Sequence, residues 1–234
     1  MSIFKESQLE RDQEISDFTG VPLAKIQTFE IASQKSIKIN VNGDMNKDDY
    51  TDLYKDYKHL NLAEYLKTLS ALTVSRRSKY IIKMNQLNGG ISGKMVLDFG
   101  SGVGSHGIAC YEYGAEEVHF LDVDGPLMDF AKWRVQKRNY NNTIFMKCED
   151  SLPIDHYDFI ICLDVLEHVS KPMLEIKRIT ESLKPGGIIA LEVSTMIKPT
   201  SGHFSKPIKD WKIHGPAFLN DHYINVSKNI WRKK

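Results

Sequence analysis

The sequence predicts an α/β fold, a three-layer α/β/α sandwich with a mainly parallel sheet, preceded by a mostly helical N-terminal extension. From residue 94 onward, short apolar runs alternate with amphipathic stretches of helical length, which is the pattern of parallel strands joined by helical crossovers. Before residue 90, most apolar residues recur at helical spacing instead. The 234 residues therefore divide into a helical N-terminal region over 1–90 and an α/β domain over 91–234.

The N-terminal region contains several predicted elements. Two short helices, Gln8–Phe18 and Leu23–Phe29, flank a tight turn. Alternating apolar and polar residues over Ser36–Asn42 predict an edge strand, while the spacing over 47–69 and Ser75–Leu87 predicts two more helices. Acidic residues outnumber basic ones in the first two helices, so we favour a capping or interaction bundle over a DNA-binding helix-turn-helix.

The elements of the α/β domain alternate regularly. Strands are predicted at 95–99, 117–122, 143–147, 158–163 and 187–194, and helices at 104–113, 126–138 and 172–182. Prolines and glycines after Val193 predict an irregular tail. Within that tail, Tyr223–Trp231 is the candidate for a single remaining edge strand.

The segment Lys94–Gly107, KMVLDFGSGVGSHG, reads as a strand, a tight turn and a helix start. Its glycines let a ligand approach the backbone, and the helix start offers unpaired N–H groups, so we interpret it as a cofactor-binding turn. The motif alone does not name the cofactor. Its G-x-G-x-x-G spacing also satisfies the dinucleotide fingerprint, and Asp122 lies about 20 positions further on.

Three segments follow the turn in order: FLDVD at 120–124, YDFIICLDVLEHV at 157–169 and LKPGG at 183–187. Together with VLDFGSGVG, this series resembles the class I, Rossmann-like S-adenosylmethionine-dependent methyltransferases of small-molecule type, over roughly residues 90–195. The resemblance implies methyl transfer from S-adenosyl-L-methionine to an oxygen, nitrogen or carbon centre of a small-molecule acceptor, with S-adenosyl-L-homocysteine as product. An NAD-dependent oxidoreductase and a non-catalytic cofactor-binding or regulatory protein with a methyltransferase-like core remain as alternatives.

The resemblance also implies a set of cofactor-binding residues at the carboxyl ends of the strands. Asp98 and the turn would hold the methionine portion, and Asp122, in preference to Asp124, would accept the ribose hydroxyls. Asp150 would face the adenine amino group. The full set is Asp98, Gly100, Ser101, Gly102, Gly104, Asp122, Val123, Glu149, Asp150, Ser151 and Leu163.

The acceptor side is less defined by the sequence. A general base is needed only if the acceptor carries a proton that must leave, and histidine suits that task near neutral pH. The candidates are His168, which could instead orient its loop, and His203 and His214 in the predicted tail. Tyr54 and Tyr57 could line the acceptor pocket, although a tyrosine row at helical spacing is also typical of a core face.

Composition limits the remaining possibilities. The net charge is +1 with both signs well mixed, so nucleic-acid binding is not expected. No apolar run reaches membrane-spanning length and no signal-peptide pattern is present, which predicts a cytoplasmic protein without a membrane partner. The three scattered cysteines predict buried reduced thiols, and no metal site is expected. The oligomeric state stays open.

Overall fold

The computed structural model describes residues 7–29, 62–72, 78–195 and 205–234. Its helices are α1 (Gln8–Thr19), α2 (Leu23–Thr28), α3 (Leu62–Leu72), α4 (Ser78–Asn85), α5 (Ser105–Glu112), α6 (Pro126–Lys137), α7 (Pro172–Ser182) and α8 (Ser205–His222), with a short 3₁₀ helix at Leu166–His168. Its strands are β1 (Met95–Phe99), β2 (Glu117–Asp122), β3 (Thr143–Lys147), β4 (Tyr157–Leu163), β5 (Leu183–Glu192), β6 (Tyr223–Ser227) and β7 (Ile230–Lys233). The predicted strand over Ser36–Asn42 lies outside the described residues, as do Tyr54, Tyr57 and His203.

The described strands form one seven-stranded sheet in the order β3-β2-β1-β4-β5-β7-β6. Strands β1 to β5 pair in parallel, and β7 runs antiparallel between β5 and β6. The predicted mainly parallel sheet is therefore confirmed. The strand order reverses between the neighbouring strands β1 and β4. Open α/β sheets bind their ligands at such a switch point, beyond the carboxyl ends of the strands.

Apolar side chains cover both faces of the sheet, and this gives the molecule its three layers. On one face, Tyr80, Ile108 and Val135 of α4, α5 and α6 join the core. On the other face, Ile179 of α7 and Trp211 of α8 do so. Strands buried on both sides need nearly continuous apolar runs, and this explains why the sequence made them easy to recognise.

The C-terminal segment is more regular than predicted, and the irregular tail with a single strand was wrong. An 18-residue helix, α8, is followed by the hairpin of β6 and β7. Pro207 lies in the first helical turn, where no backbone N–H is needed, and exposed Pro216 is tolerated inside the helix. Burial of Trp211 and Leu219 against the sheet offsets its cost.

Two smaller predictions also need correction. Strand β5 begins at Leu183 rather than 187, because Leu183 pairs with Tyr157 across an irregularity in the register. Cys148 is exposed, whereas Cys110 and Cys162 are buried as expected.

Within the described ranges, no helix combines the length and the apolar character needed to cross a membrane.

The N-terminal helices pack against the α/β domain. Ile15 of α1, Ile26 of α2 and Leu66 of α3 form one apolar cluster with Phe130 of α6 and with Val103 from the glycine-rich turn. The described N-terminal helices therefore contact the same turn that the sequence identifies as a cofactor site.

Candidate functional site

The glycine-rich turn after β1 is held by the end of β2. Its backbone is left-handed at Gly100, Gly102 and Gly104, with φ values of 73°, 52° and 74°. The N–H groups of Gly100 and Ser101 both donate to the carbonyl oxygen of Leu121, at 2.8 and 3.1 Å. Residues with a side chain rarely adopt positive φ, so glycine at these positions allows the turn to fold back on β2.

Asp122, the last residue of β2, also holds the glycine-rich turn. Its Oδ2 accepts the N–H of Gly102 at 2.6 Å, and its Oδ1 accepts the N–H of Val123 at 2.7 Å. Burial raises the pKa of Asp122, while these two N–H groups act in the opposite direction. The side chain is only half-buried, and each carboxylate oxygen has a second lone pair, so Asp122 can still accept hydrogen bonds from a ligand.

Asp124, the competing candidate, has a different environment. Its carboxylate is 47% exposed and lies 2.9 Å from Nζ of Lys147 and 3.7 Å from Nζ of Lys132. The hydrogen bond from Lys147 lowers the pKa of Asp124. These contacts occupy Asp124 with surface lysines, whereas Asp122 contacts the glycine-rich turn, which supports the choice of Asp122.

Asp98 supports the start of α5. Its side chain is 1% exposed, and its Oδ2 accepts the N–H of Gly107 at 2.9 Å. That N–H belongs to the first helical turn, where no intrahelical acceptor exists. A Cβ at Gly107 would lie 2.2 Å from a ring carbon of Phe120, so glycine is required for α5 to approach β2. The sequence indicated a ligand role for Asp98 but missed this structural one.

Two features of the turn fit a ligand with polar groups. Oγ of Ser101 is buried and has no hydrogen-bond partner within the part of the chain that the structure describes. A Cβ at Gly102 would meet no described atom within 4 Å, so the space beside Asp122 is open. A buried hydroxyl without a partner needs an explanation, and a bound polar ligand would supply one.

The other predicted cofactor residues lie at the same edge of the sheet. Oδ2 of Asp150 accepts the N–H of Lys147 at 2.8 Å, which closes the turn after β3, and Glu149 and Ser151 are exposed beside it. Leu163 ends β4 and is buried. Because β3, β2, β1 and β4 are neighbours and parallel, their carboxyl ends bring the predicted residues together.

The 3₁₀ helix after β4 carries His168 and Glu167. His168 is half-buried, and its backbone N–H donates to the carbonyl of Val165 at 2.9 Å. Glu167 is fully buried, and its Oε1 accepts the N–H of Ser194 at 2.8 Å. Glu167 thus joins the segment after β5 to the segment after β4, a role that the sequence analysis missed.

His214 is not brought to this edge. It lies in the middle of α8, its side chain is 60% exposed, and its Nε2 is 3.8 Å from a carboxylate oxygen of Asp210 on the same helix. The sequence analysis placed His214 in an irregular tail and named it as a candidate base. The regular helix, held along the sheet by Trp211, instead turns His214 towards solvent.

Comparisons with known proteins agree with this geometry. A family model described as a methyltransferase domain matches residues 63–226. The ubiquinone biosynthesis O-methyltransferase of Coxiella burnetii is 33% identical over 142 residues, which cover 59% of this chain and 56% of that protein. The ribosomal protein L11 methyltransferase of Shewanella pealeana is 27% identical over 132 residues, covering 56% of this chain and 43% of that protein.

A solved structure of a SAM-dependent methyltransferase from Aquifex aeolicus is 19% identical with a TM-score of 0.49, covering 81% of this chain and 97% of that one. The chain spans about half the length of the curated O-methyltransferase it matches. The matching family and the curated relatives are methyltransferases. The comparisons therefore do not favour the two alternatives, an NAD-dependent oxidoreductase and a non-catalytic cofactor-binding protein.

Proposed function

Because the chain belongs to the class I S-adenosylmethionine-dependent methyltransferases, we propose that it methylates an oxygen atom of a small-molecule acceptor. The cofactor supplies a methyl group that is activated on its sulfonium. The observation that carries the oxygen assignment is the 33% identity to the O-methyltransferase of Coxiella burnetii.

The cofactor-holding residues in this proposal lie around the glycine-rich turn. Asp122 accepts the ribose hydroxyls with the lone pairs that Gly102 and Val123 leave available. Ser101 offers its buried hydroxyl to the polar amino-acid portion, together with Asp98 and the backbone of Gly100 and Gly104. These assignments are supported by the open space at Gly102.

At the other end of the cofactor, the adenine ring would lie against the turn after β3. Asp150 would accept from the adenine amino group, with Glu149 as the alternative, and Ser151 would offer its N–H to the ring. Leu163 would form the floor of the site. The proposal is supported by the adjacency of β3 and β2, which brings this turn next to Asp122.

On the acceptor side, the chain must align the attacking oxygen and exclude water. A hydroxyl carries a proton that has to leave as the oxygen is methylated, and an imidazole can take it near neutral pH. We assign this role to His168, because it is half-buried and lies five residues after Leu163, which ends β4. The N-terminal region over 1–90 would supply one wall of the acceptor pocket, with Tyr54 and Tyr57 as candidates.

Methyl-labelled S-adenosylmethionine and a panel of acceptors test the proposal. The panel contains small hydroxyl compounds, small amines and ribosomal protein L11, and mass spectrometry locates the added methyl. We expect the labelled methyl group on an oxygen atom of a hydroxyl compound. The labelling should be lost in Asp122→Asn and kept in the matched variant Asp124→Asn. Label on amines or on L11 alone would overturn the oxygen assignment and leave the family membership intact.

A further inference from the structure

At the opposite end of β2 from Asp122, three side chains with metal-ligating atoms converge. Glu117 begins β2, His119 follows two residues later, and His156 immediately precedes β4. One ligand atom from each side chain lies within 4.8 Å of the others. Nε2 of His119 is 2.6 Å from Oε1 of Glu117, and the two imidazole rings are 5.7 Å apart between centroids.

The backbone fixes these three positions. Glu117 and His119 are two residues apart on one strand, so their side chains share a face of the sheet. His156 is anchored by its N–H to the carbonyl of Ser182 at 2.8 Å, and the preceding N–H of Asp155 bonds to Glu181 at 2.9 Å. The cluster therefore rests on the sheet and on the end of α7.

The second nitrogen of His119 also has a partner. Nδ1 lies 2.7 Å from the hydroxyl oxygen of Tyr157. Without a metal, Nε2–H donates to Oε1 of Glu117, because a carboxylate only accepts hydrogen bonds. A bound cation would take the place of that proton, and Nδ1–H would then donate to the oxygen of Tyr157. Metal-ligating histidines are commonly held in this way by a hydrogen bond from the other ring nitrogen.

His156 completes the set. Its Nε2 is buried and has no hydrogen-bond partner among the described residues. An unsatisfied imidazole nitrogen beside a histidine and a carboxylate is explained if a cation is the missing partner.

We propose that Glu117, His119 and His156 bind a Zn²⁺ ion, with a water molecule as the fourth ligand. Two histidines and one glutamate form a donor set that zinc accepts in tetrahedral geometry. The Glu117 side chain is 32% exposed, compared with 8% for His119, so water reaches the site from the Glu117 side. The three ligand atoms lie within 4.8 Å of one another, and the side chains of Glu117 and His156 would adjust to place them around one ion.

The metal would have a structural role. Glu117 lies five residues before Asp122, which at roughly 3.3 Å per residue is about 16 Å along β2. An ion at this distance does not touch the cofactor edge. It would instead join the start of β2 to the chain entering β4, two segments that are not neighbours in the sheet.

The test uses the metal-free full chain at neutral pH. Zn²⁺ affinity is measured by competition with a chromophoric chelator, and Co²⁺ is added to record the visible absorption of a tetrahedral ion. We expect one ion per chain. His156→Ala and Glu117→Gln should each weaken Zn²⁺ binding by at least about 100-fold, and Tyr157→Phe, which removes the support of His119, by about tenfold.

His222→Ala is the matched control, because His222 lies at the end of α8 and contacts Phe218 instead. It should bind Zn²⁺ like the unchanged protein. Circular dichroism and S-adenosylmethionine binding establish that each variant is folded. Absence of stoichiometric binding, or equal affinity in His156→Ala and His222→Ala, would overturn the zinc site, and neither result bears on methyl transfer.

Discussion

The N–H of Gly102 donates to Oδ2 of Asp122 at 2.6 Å, and this hydrogen bond joins the glycine-rich turn to the end of β2. A second hydrogen bond, from Val123, holds the other carboxylate oxygen. The orientation of Asp122 is therefore set before any ligand arrives. A preorganised acceptor loses little freedom on binding, so its contribution to affinity is retained.

Replacing Asp122 by alanine should weaken S-adenosylmethionine binding by roughly 1.5–3 kcal/mol, because hydrogen bonds to a charged group are lost. Calorimetry measures this difference. Asp124→Ala is the matched control and should leave the affinity nearly unchanged, since Asp124 contacts Lys147 and Lys132. If Asp122→Ala bound S-adenosylmethionine as tightly as the unchanged protein, the assignment of the ribose contact to Asp122 would be wrong.

The affinity should also depend on pH through the same carboxylate. Burial raises the pKa of Asp122, so the group gains its proton at a higher pH than an ordinary aspartate, whose pKa is about 3.9. The protonated form is a weaker acceptor for ligand hydroxyls. Affinity should therefore be full above the raised pKa and fall as the pH decreases through it. An identical pH profile in Asp122→Ala would assign the dependence to another group.

Two glycine substitutions should separate ligand space from folding. Alanine at Gly102 strains a left-handed residue by about 1–2 kcal/mol but meets no described atom, so we expect lost S-adenosylmethionine affinity with a modest loss of stability. Alanine at Gly107 would collide with Phe120, so we expect overpacking to lower the free energy of unfolding by about 1–3 kcal/mol. Urea titration measures the stability of both variants, and calorimetry measures their S-adenosylmethionine affinity. The prediction is wrong if the Gly102 variant mainly loses stability and the Gly107 variant mainly loses affinity.

The sequence predicted those features that depend on neighbours along the chain. Alternating apolar runs predicted the first five strands, and the position of Asp122 at the end of one of them predicted its place beside the turn. The helix α8 was missed because prolines and glycines are local signals. The burial of Trp211 and Leu219, which outweighs those signals, is a tertiary contact that only the folded sheet provides.

The same limit applies to side chains that meet across the fold. Arg134 and Glu14 are 120 positions apart, and neither has a local pattern that marks it as buried. His156 approaches His119 because β2 and β4 both pair with β1, one on each side. Spacing along the chain could not predict either contact.

The ion pair between Glu14 and Arg134 should stabilise the docking of α1. Arg134 is 1% exposed, and its Nε donates to Oε2 of Glu14 at 2.9 Å. Glu14→Ala leaves a buried guanidinium without that carboxylate and should destabilise the fold by about 3–5 kcal/mol. Asp17→Ala, which breaks the exposed pair with Lys137 between the same two helices, is the control and should cost far less.

Denaturant unfolding measures both variants, and equal midpoints would contradict the prediction. Arg134 also donates to the carbonyl of Val103 at 2.8 Å and to Oγ of Ser105 at 2.9 Å. These contacts link α1 to the glycine-rich turn. Glu14→Ala should therefore weaken S-adenosylmethionine binding as well, whereas Asp17→Ala should not.

The last prediction concerns the general base. His168 lies on the 3₁₀ helix at the carboxyl end of β4, and the buried Glu167 next to it fixes this helix through the N–H of Ser194. His214 is 60% exposed on α8 and lies near Asp210. If His168 takes the acceptor proton, His168→Ala should lower the methyl-transfer rate by about 100-fold or more while S-adenosylmethionine affinity stays nearly constant. His214→Ala should turn over normally.

Single-turnover assays with a hydroxyl acceptor, run beside calorimetry, measure rate and affinity separately. A lost base also has a signature that a misfolded loop lacks, because the rate of His168→Ala should recover as the pH rises and the acceptor hydroxyl ionises by itself. A flat pH profile together with weakened cofactor binding would make His168 a loop-orienting residue. A slow His214→Ala with a normal His168→Ala would move the acceptor site towards α8.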